Sequence, residues 1–189
     1  EVVLRLDTKG RYASAKPLLA VVVDDFGSFG GAELDTFCNN VAPEVCYSII
    51  PGQPYTRESM EKAAAGGHEV MVHMPMEPIS YPRNDPGPEA IYVSMQPREI
   101  RARVRQYINE LPLAVGANNH MGSLATTDRN VMEAVLAELD DAGLYFVDSR
   151  TIASSVAHDV ALEHGMRSVV RDVFLDVPDC SQSTLNEHL

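Results

Sequence analysis

Short apolar runs alternate along this chain with stretches in which apolar residues recur every three or four positions, and the two periods take turns about six times. The first run, residues 18–23 (LLAVVV), is unbroken and rich in β-branched valine, which predicts a strand covered on both faces. It ends in two adjacent carboxylates, Asp24 and Asp25, and a glycine-rich loop, GSFGG. Successive strand residues point to opposite faces, so two neighbouring acids share a target only where a strand is already ending. Leu34, Phe37, Cys38 and Val41 then fall at helical spacing. Residues 45–50 (VCYSII) form the second predicted strand, stopped by Pro51-Gly52, and Thr56 is placed to cap a helix that runs to Gly66-Gly67. The third strand is 69–74 (EVMVHM), and Pro75 and Pro78 are expected to end it, because proline cannot donate to a sheet ladder.

Residues 79–96 are the one long irregular segment; directly after a candidate site strand, they read as a wall that contacts substrate. Pro97 opens a helix whose stripe is Ile100, Val104, Tyr107, Ile108 and Leu111, with Pro112 as the stop. A strand at 113–119 ends at His120, and Thr127 or Asp128 caps a helix carrying Val131, Val135 and Leu139 up to Gly143. Residues 144–147 are a strand ending in Asp148, a helix follows from Ser154 or Ser155 to Gly165, and 168–175 is the last predicted strand. Strand and helix in alternation with short connections mean a parallel sheet, open or closed, with the carboxyl ends of all strands on one side. That side is where such folds place chemistry. Asp24, Asp25, His73, His120, Asp148 and Asp172 all stand at or near it.

Composition narrows the picture. With 189 residues and 45% hydrophobic content, one folded domain at 18–189 is expected, preceded by a polar leader or linker at 1–17. The formal charge of −12, without a basic run, argues against nucleic acid and against anionic membrane surfaces as partners. No apolar stretch approaches the roughly 20 residues that span a bilayer. A chain that opens on Glu1 rather than Met is compatible with removal of a targeting segment. Cys38, Cys46 and Cys180 make no CxxC; Cys38 and Cys46 read as core residues in preference to a disulfide.

Carboxylate oxygen and imidazole nitrogen together suit Zn²⁺ or a similar divalent ion with a position left open for water. A carboxylate not spent on the metal can take a proton from that water, which makes hydrolysis of an amide or ester the natural outcome. Each residue also has a plain structural reading. Asp24-Asp25 alone reads equally well as a polar loop. His73, between alternating apolar residues and two prolines, reads as a ligand. His120 reads as a ligand or as a core histidine bonded to loop backbone. Asp148 with Arg150, and Arg171 with Asp172, read at least as well as internal ion pairs. His68, His158, His164 and His188 read as structural, and Met71, Met74, Met76 and Met121 as packing. GSFGG is not a GxSxG elbow, and neither a phosphate-binding loop nor a dinucleotide fingerprint is present.

Taken in order, VVVDDFG, GHEVMVHMPMEP, DPGP, AVGANNHMGS, YFVDSRT and RDVFLD resemble the divergent polysaccharide deacetylase family, a bacterial cell-envelope branch of the polysaccharide deacetylase superfamily. The resemblance runs from residue 18 to about 177. It implies a distorted (β/α)7 barrel, a divalent metal, usually zinc, a polysaccharide or oligosaccharide substrate, a periplasmic or cell-envelope location, and removal of N-acetyl or O-acetyl groups. By the same resemblance Asp24 is the base, Asp25 a metal ligand, and His73 the first histidine of the metal motif. Four positions later, where the superfamily has its second histidine, stands Glu77, so His120 is expected to supply the missing imidazole. Asp148 and Arg150 resemble the later acid and substrate-site positions. The family's general acid comes from a closing segment with Gly-His-Pro, which the sequence to Leu189 does not contain; the expectation is a barrel lacking that C-terminal segment, with the acid unassigned. The altered second motif keeps open a non-catalytic envelope protein that binds glycan or a partner protein. A metal phosphoesterase is weaker, for want of a basic cluster to hold phosphate.

Overall fold

The computed structural model describes residues 19–176 together with 181, 183, 184 and 186. The proposed leader at 1–17, residue 18, Cys180 and His188 lie outside the described residues. Six parallel strands, β1 (Val22–Phe26), β2 (Cys46–Ile49), β3 (Val70–Met76), β4 (Gly116–Met121), β5 (Tyr145–Asp148) and β6 (Ser168–Val170), form one sheet in the order β1-β2-β3-β4-β5-β6. Between them run α1 (Gly31–Asn40), α2 (Thr56–Ala65), α3 (Pro97–Glu110), α4 (Arg129–Asp141) and α5 (Ala157–Glu163). Because each strand lies beside the previous one, every crossover of the usual right hand puts its helix on the same face of the sheet. That is the arrangement of a distorted (β/α) barrel and not of a doubly wound sheet, whose strand order reverses.

The other face of the sheet is an interior of its own, and the side chains show the curl. Cys46 on β2 interacts with Tyr145 on β5, and Ser48 on β2 bonds Asn118 on β4 across the intervening β3. In a flat sheet β2 and β4 lie about 9–10 Å apart, too far for two short side chains standing side by side to meet. All seven residues of β3 are buried, as expected of a strand with helices on one side and a curled sheet on the other. Gly116 belongs to the same interior: a Cβ there would stand 2.4 Å from the ring of Tyr145.

Between sheet and α1 lies an aromatic cluster in which Phe26 stacks on Tyr47 with centroids 4.4 Å apart, and Tyr47 in turn stacks on the buried ring of His68. His68 is thus a structural histidine, with Nδ1 2.9 Å from the Val45 carbonyl. Met71, Met74 and Met76 are core residues, and Cys38 and Cys46 are free thiols, with burial pushing the Cys46 thiol up to about 12.

Several boundaries differ from the sequence reading. β1 starts four residues late and is not covered on both faces: Leu19 is 65% exposed, and β1 pairs with β2 alone among the described strands. Its valines reflect strand propensity at an edge. β3 continues through Pro75 because β2 stops at Ile49. The side on which Pro75 lacks an N–H no longer faces a ladder, and Ile91 N–H there donates to the Pro75 carbonyl. Thr56 is the first residue of α2 and not its cap; its hydroxyl donates to the Ile50 carbonyl and accepts from Gln53 N–H, holding the preceding turn. Asp128 does cap α4, accepting from the N–H groups of Asn130 and Val131. The last strand ends at Val170, where Arg171 turns aside to donate to the carbonyls of Ser149 and Arg150.

Candidate metal centre

Register places the polar residues. Ser48 pairs with Met71, His73 with Asn118, and Pro75 with His120, so Ser48, His73, Asn118 and His120 all face the interior, near the carboxyl rim. β1 reaches the same rim through an irregularity. Val23 pairs with Tyr47 and the next pair is Phe26 with Ile49, three steps on β1 against two on β2. One extra residue is inserted, a bulge, and Asp25 takes φ +62° in it. The bulge cancels the strand's alternation, so that both acids of the pair turn to one side. Gly27, at φ +108°, follows with no room for a Cβ, which would lie 2.9 Å from the Ile50 carbonyl oxygen.

The result is a small triangle of ligand atoms. Asp25 Oδ1 lies 2.9 Å from His120 Nδ1 and 3.3 Å from His73 Nε2, and the two ring nitrogens are 3.2 Å apart. Zinc at bond lengths near 2.0–2.1 Å and tetrahedral angles holds its ligand atoms about 3.3 Å apart, so the triangle matches one face of such a polyhedron with the fourth position free. Asp25, His73 and His120 are the group that could hold a metal ion among the described residues. The two histidines beside it, His120 first, hold the Asp25 carboxyl well below the usual carboxylate range. Asp24 Oδ2 stands 3.6 Å from His73 Nε2, beside the triangle. Loss of hydration pushes the Asp24 carboxyl up, and its two histidine neighbours pull the other way without cancelling that effect.

Four of the six residues to which the resemblance gives a role, Asp24, Asp25, His73 and His120, therefore meet. The other two are placed differently. Asp148 is buried at the end of β5, where one carboxylate oxygen accepts from Arg150 N–H at 2.7 Å and the other from the Ser155 hydroxyl at 2.8 Å. Arg150 is exposed, with φ +44°. Glu77, at the position of the absent second histidine, is spent on the long loop: its carboxylate accepts from Val93 N–H, and its carbonyl from the N–H groups of Leu124 and Ala125. The segment from 79 to 96 is irregular as expected, with Tyr81 and Tyr92 in edge contact at 5.2 Å. No motif pointed to Ser48, Asn118 and Ser149, a hydrogen-bonded chain that meets His73 through Asn118. The available signal was polarity inside strands: a serine within VCYSII and a double asparagine before His120.

Relatives share this chain's sequence and its fold. An uncharacterised protein of Haemophilus influenzae is 36% identical over 165 residues, covering 87% of this chain and 58% of the relative. The uncharacterised protein YibQ of Escherichia coli is 38% identical over 161 residues, covering 84% and 48%. The chain thus spans about half the length of the curated relatives it matches. A crystal structure of an uncharacterised protein from Agrobacterium tumefaciens superposes with a TM-score of 0.82 at 22% identity, over 89% of this chain and 68% of that one, a likeness of fold. The model of one family matches residues 21–189, which takes in the bulged acid pair, both histidine strands and the Asp148 loop. The chain belongs to the divergent polysaccharide deacetylase family.

Proposed function

We propose that the protein is a zinc-dependent hydrolase that removes acetyl groups from a cell-envelope polysaccharide or amino sugar. Asp25 Oδ1, His73 Nε2 and His120 Nδ1 would hold the ion, and Asp24 would act as base. The observation that carries this reading is the convergence of those three electron-pair donors within 3.3 Å of one another, with a second carboxylate alongside. When bound, zinc supplies Lewis acidity toward an acetyl carbonyl and toward a water. The protein's own part is to keep the ligands in place and to move a proton. Asp25, held as a carboxylate by its histidine neighbours, is suited to ligation. Asp24, whose carboxyl is raised by lost hydration, is the better proton acceptor, since a base works best as its pKa approaches the operating pH. The family supports the substrate class and an extracytoplasmic location; among the described residues no helix is long and apolar enough to cross a membrane.

The test is acetate release from acetylated chitooligosaccharides and from peptidoglycan, by the zinc-loaded protein and by its Asp24→Asn variant. Turnover that falls by about 10²–10⁴ in the variant, with zinc content unchanged, supports the reading. A second reading, a glycan- or protein-binding member without turnover, draws on Glu77 standing where the superfamily's second histidine belongs. Zinc bound one per chain without acetate release from either substrate would favour it.

A further inference from the structure

The triangle of ligand atoms works only if His73 presents a bare Nε2, and the residue that decides this lies on the far side of the ring. His73 Nδ1 is 2.8 Å from Asn118 Oδ1, and the same oxygen is 2.6 Å from the Ser48 hydroxyl. The amide nitrogen of Asn118 reaches the Ser149 hydroxyl at 3.3 Å. Ser48, His73, Asn118 and Ser149 are all at least nine-tenths buried, so water does not compete for these groups. The distances orient the amide: 2.6 Å belongs to O–H···O contacts and falls short of the N–H···O range, whereas 3.3 Å on the opposite side suits the weaker donor. With its oxygen toward His73, Asn118 accepts a hydrogen bond from Nδ1–H, and the lone pair of the neutral ring is then on Nε2.

We infer that Asn118 is the positioning residue of the metal centre, fixing His73 in the Nδ1–H tautomer and in its ring orientation through a buried chain that ties β2, β4 and β5 together. The inference rests on the metal reading above. It also separates the two imidazoles. His73 is 3% exposed and bonds through Nε2 with its other nitrogen anchored in protein, whereas His120 is 21% exposed and would bond through Nδ1. The histidines therefore serve the same ion as opposite tautomers, and the fold enforces that of His73. An outer partner of this kind raises the basicity of the ligand and removes the entropy of choosing a ring orientation.

Zn²⁺ affinity, measured by competition titration for the wild type, Asn118→Leu and Asn118→Asp, together with ¹⁵N NMR of the His73 ring, tests this. Leucine removes the acceptor, and Zn²⁺ should bind about 10–100-fold more weakly. Aspartate keeps both acceptor contacts, and the Ser149 hydroxyl can turn to donate to it, so binding should be no weaker than in the wild type. In the wild type the His73 ring should show a protonated Nδ1 and an unprotonated Nε2 in the metal-free protein at alkaline pH. An Nε2–H tautomer, which the same amide turned end for end would select, overturns the inference. So does wild-type affinity in Asn118→Leu, or an equal loss in Asn118→Asp, which would mark a packing role. If the leucine variant does not fold, the wild-type tautomer and the aspartate variant still decide. Failure of the wild type itself to bind Zn²⁺ would overturn the metal reading as well, and only that outcome reaches so far.

Discussion

His73 and Asp25 face the same point from opposite kinds of ground. His73 stands on the wholly buried third strand, which pairs with β2 and β4, and its ring is anchored from behind by Asn118. Asp25 stands on an edge strand, in a bulge with positive φ, with its side chain 62% exposed. The centre therefore has a rigid half and a yielding half. Rigid ligands lose little freedom when an ion binds, whereas an exposed carboxylate on an edge strand must be ordered at that moment. The histidine side sets the geometry, and Asp25 completes it from the edge.

Substitutions should break that symmetry first in metal affinity. His73→Ala should lose more than the 10–100-fold expected for an outer partner, together with the site's geometry, whereas Asp25→Asn, which keeps an oxygen ligand, should weaken Zn²⁺ binding less; calorimetric titration of both compares the halves directly. Equal losses would mean that the acid is as well ordered as the histidine. Catalysis should follow the acid limb of Asp24. Activity should fall as pH drops through the range in which Asp24 gains its proton; lost hydration raises that carboxyl above the ordinary 3.8 in the metal-free protein and a bound divalent cation would lower it, so a pH profile of acetate release reads the net of the two.

Stability should divide the same way. Val72 is fully buried on β3 and Val22 is 36% exposed on β1. Val72→Ala should cost roughly 1–3 kcal/mol and Val22→Ala no more than about 0.5, read by urea denaturation. The smallest effect belongs to the acid pair in the metal-free protein. Asp25 is lowered in the folded state, so the stability it contributes is present above its ordinary 3.8 and is lost as pH falls toward the folded value. Asp24 is raised, so its carboxylate opposes folding at neutral pH, and Asp24→Asn should raise the melting temperature of the metal-free protein slightly. A lowered melting temperature would place Asp24 among the structural residues.

The alternating periods made the β/α order legible, and the position of polar residues after apolar runs made four site residues legible. Pairing is what remained hidden. Nothing in LLAVVV distinguishes an edge strand from a central one, because β-branched residues suit both. The bulge that turns Asp25 inward shows only against β2, since a register shift is a property of two strands. Pro75 was legible as a ladder breaker but not as a harmless one, which depends on where β2 stops. Asp148 looked like Asp24 in sequence, an acid closing an apolar run, yet its oxygens hold the Arg150–Ser155 turn. Asn118 stayed hidden because an asparagine within a strand carries no spacing signal of its own.

Strand order has a consequence for engineering. Since β1 to β5 lie side by side in chain order and all run the same way, the segments that leave the strands border the site, and those that enter them lie at the other end of the molecule. The turn at Gly143 and the one at Leu113, half-exposed before β4, are of the second kind. A peptide tag or a fluorophore spliced there would report on the protein while leaving the histidine and aspartate cage undisturbed, and the same graft after β3 or β4 would crowd the cage itself.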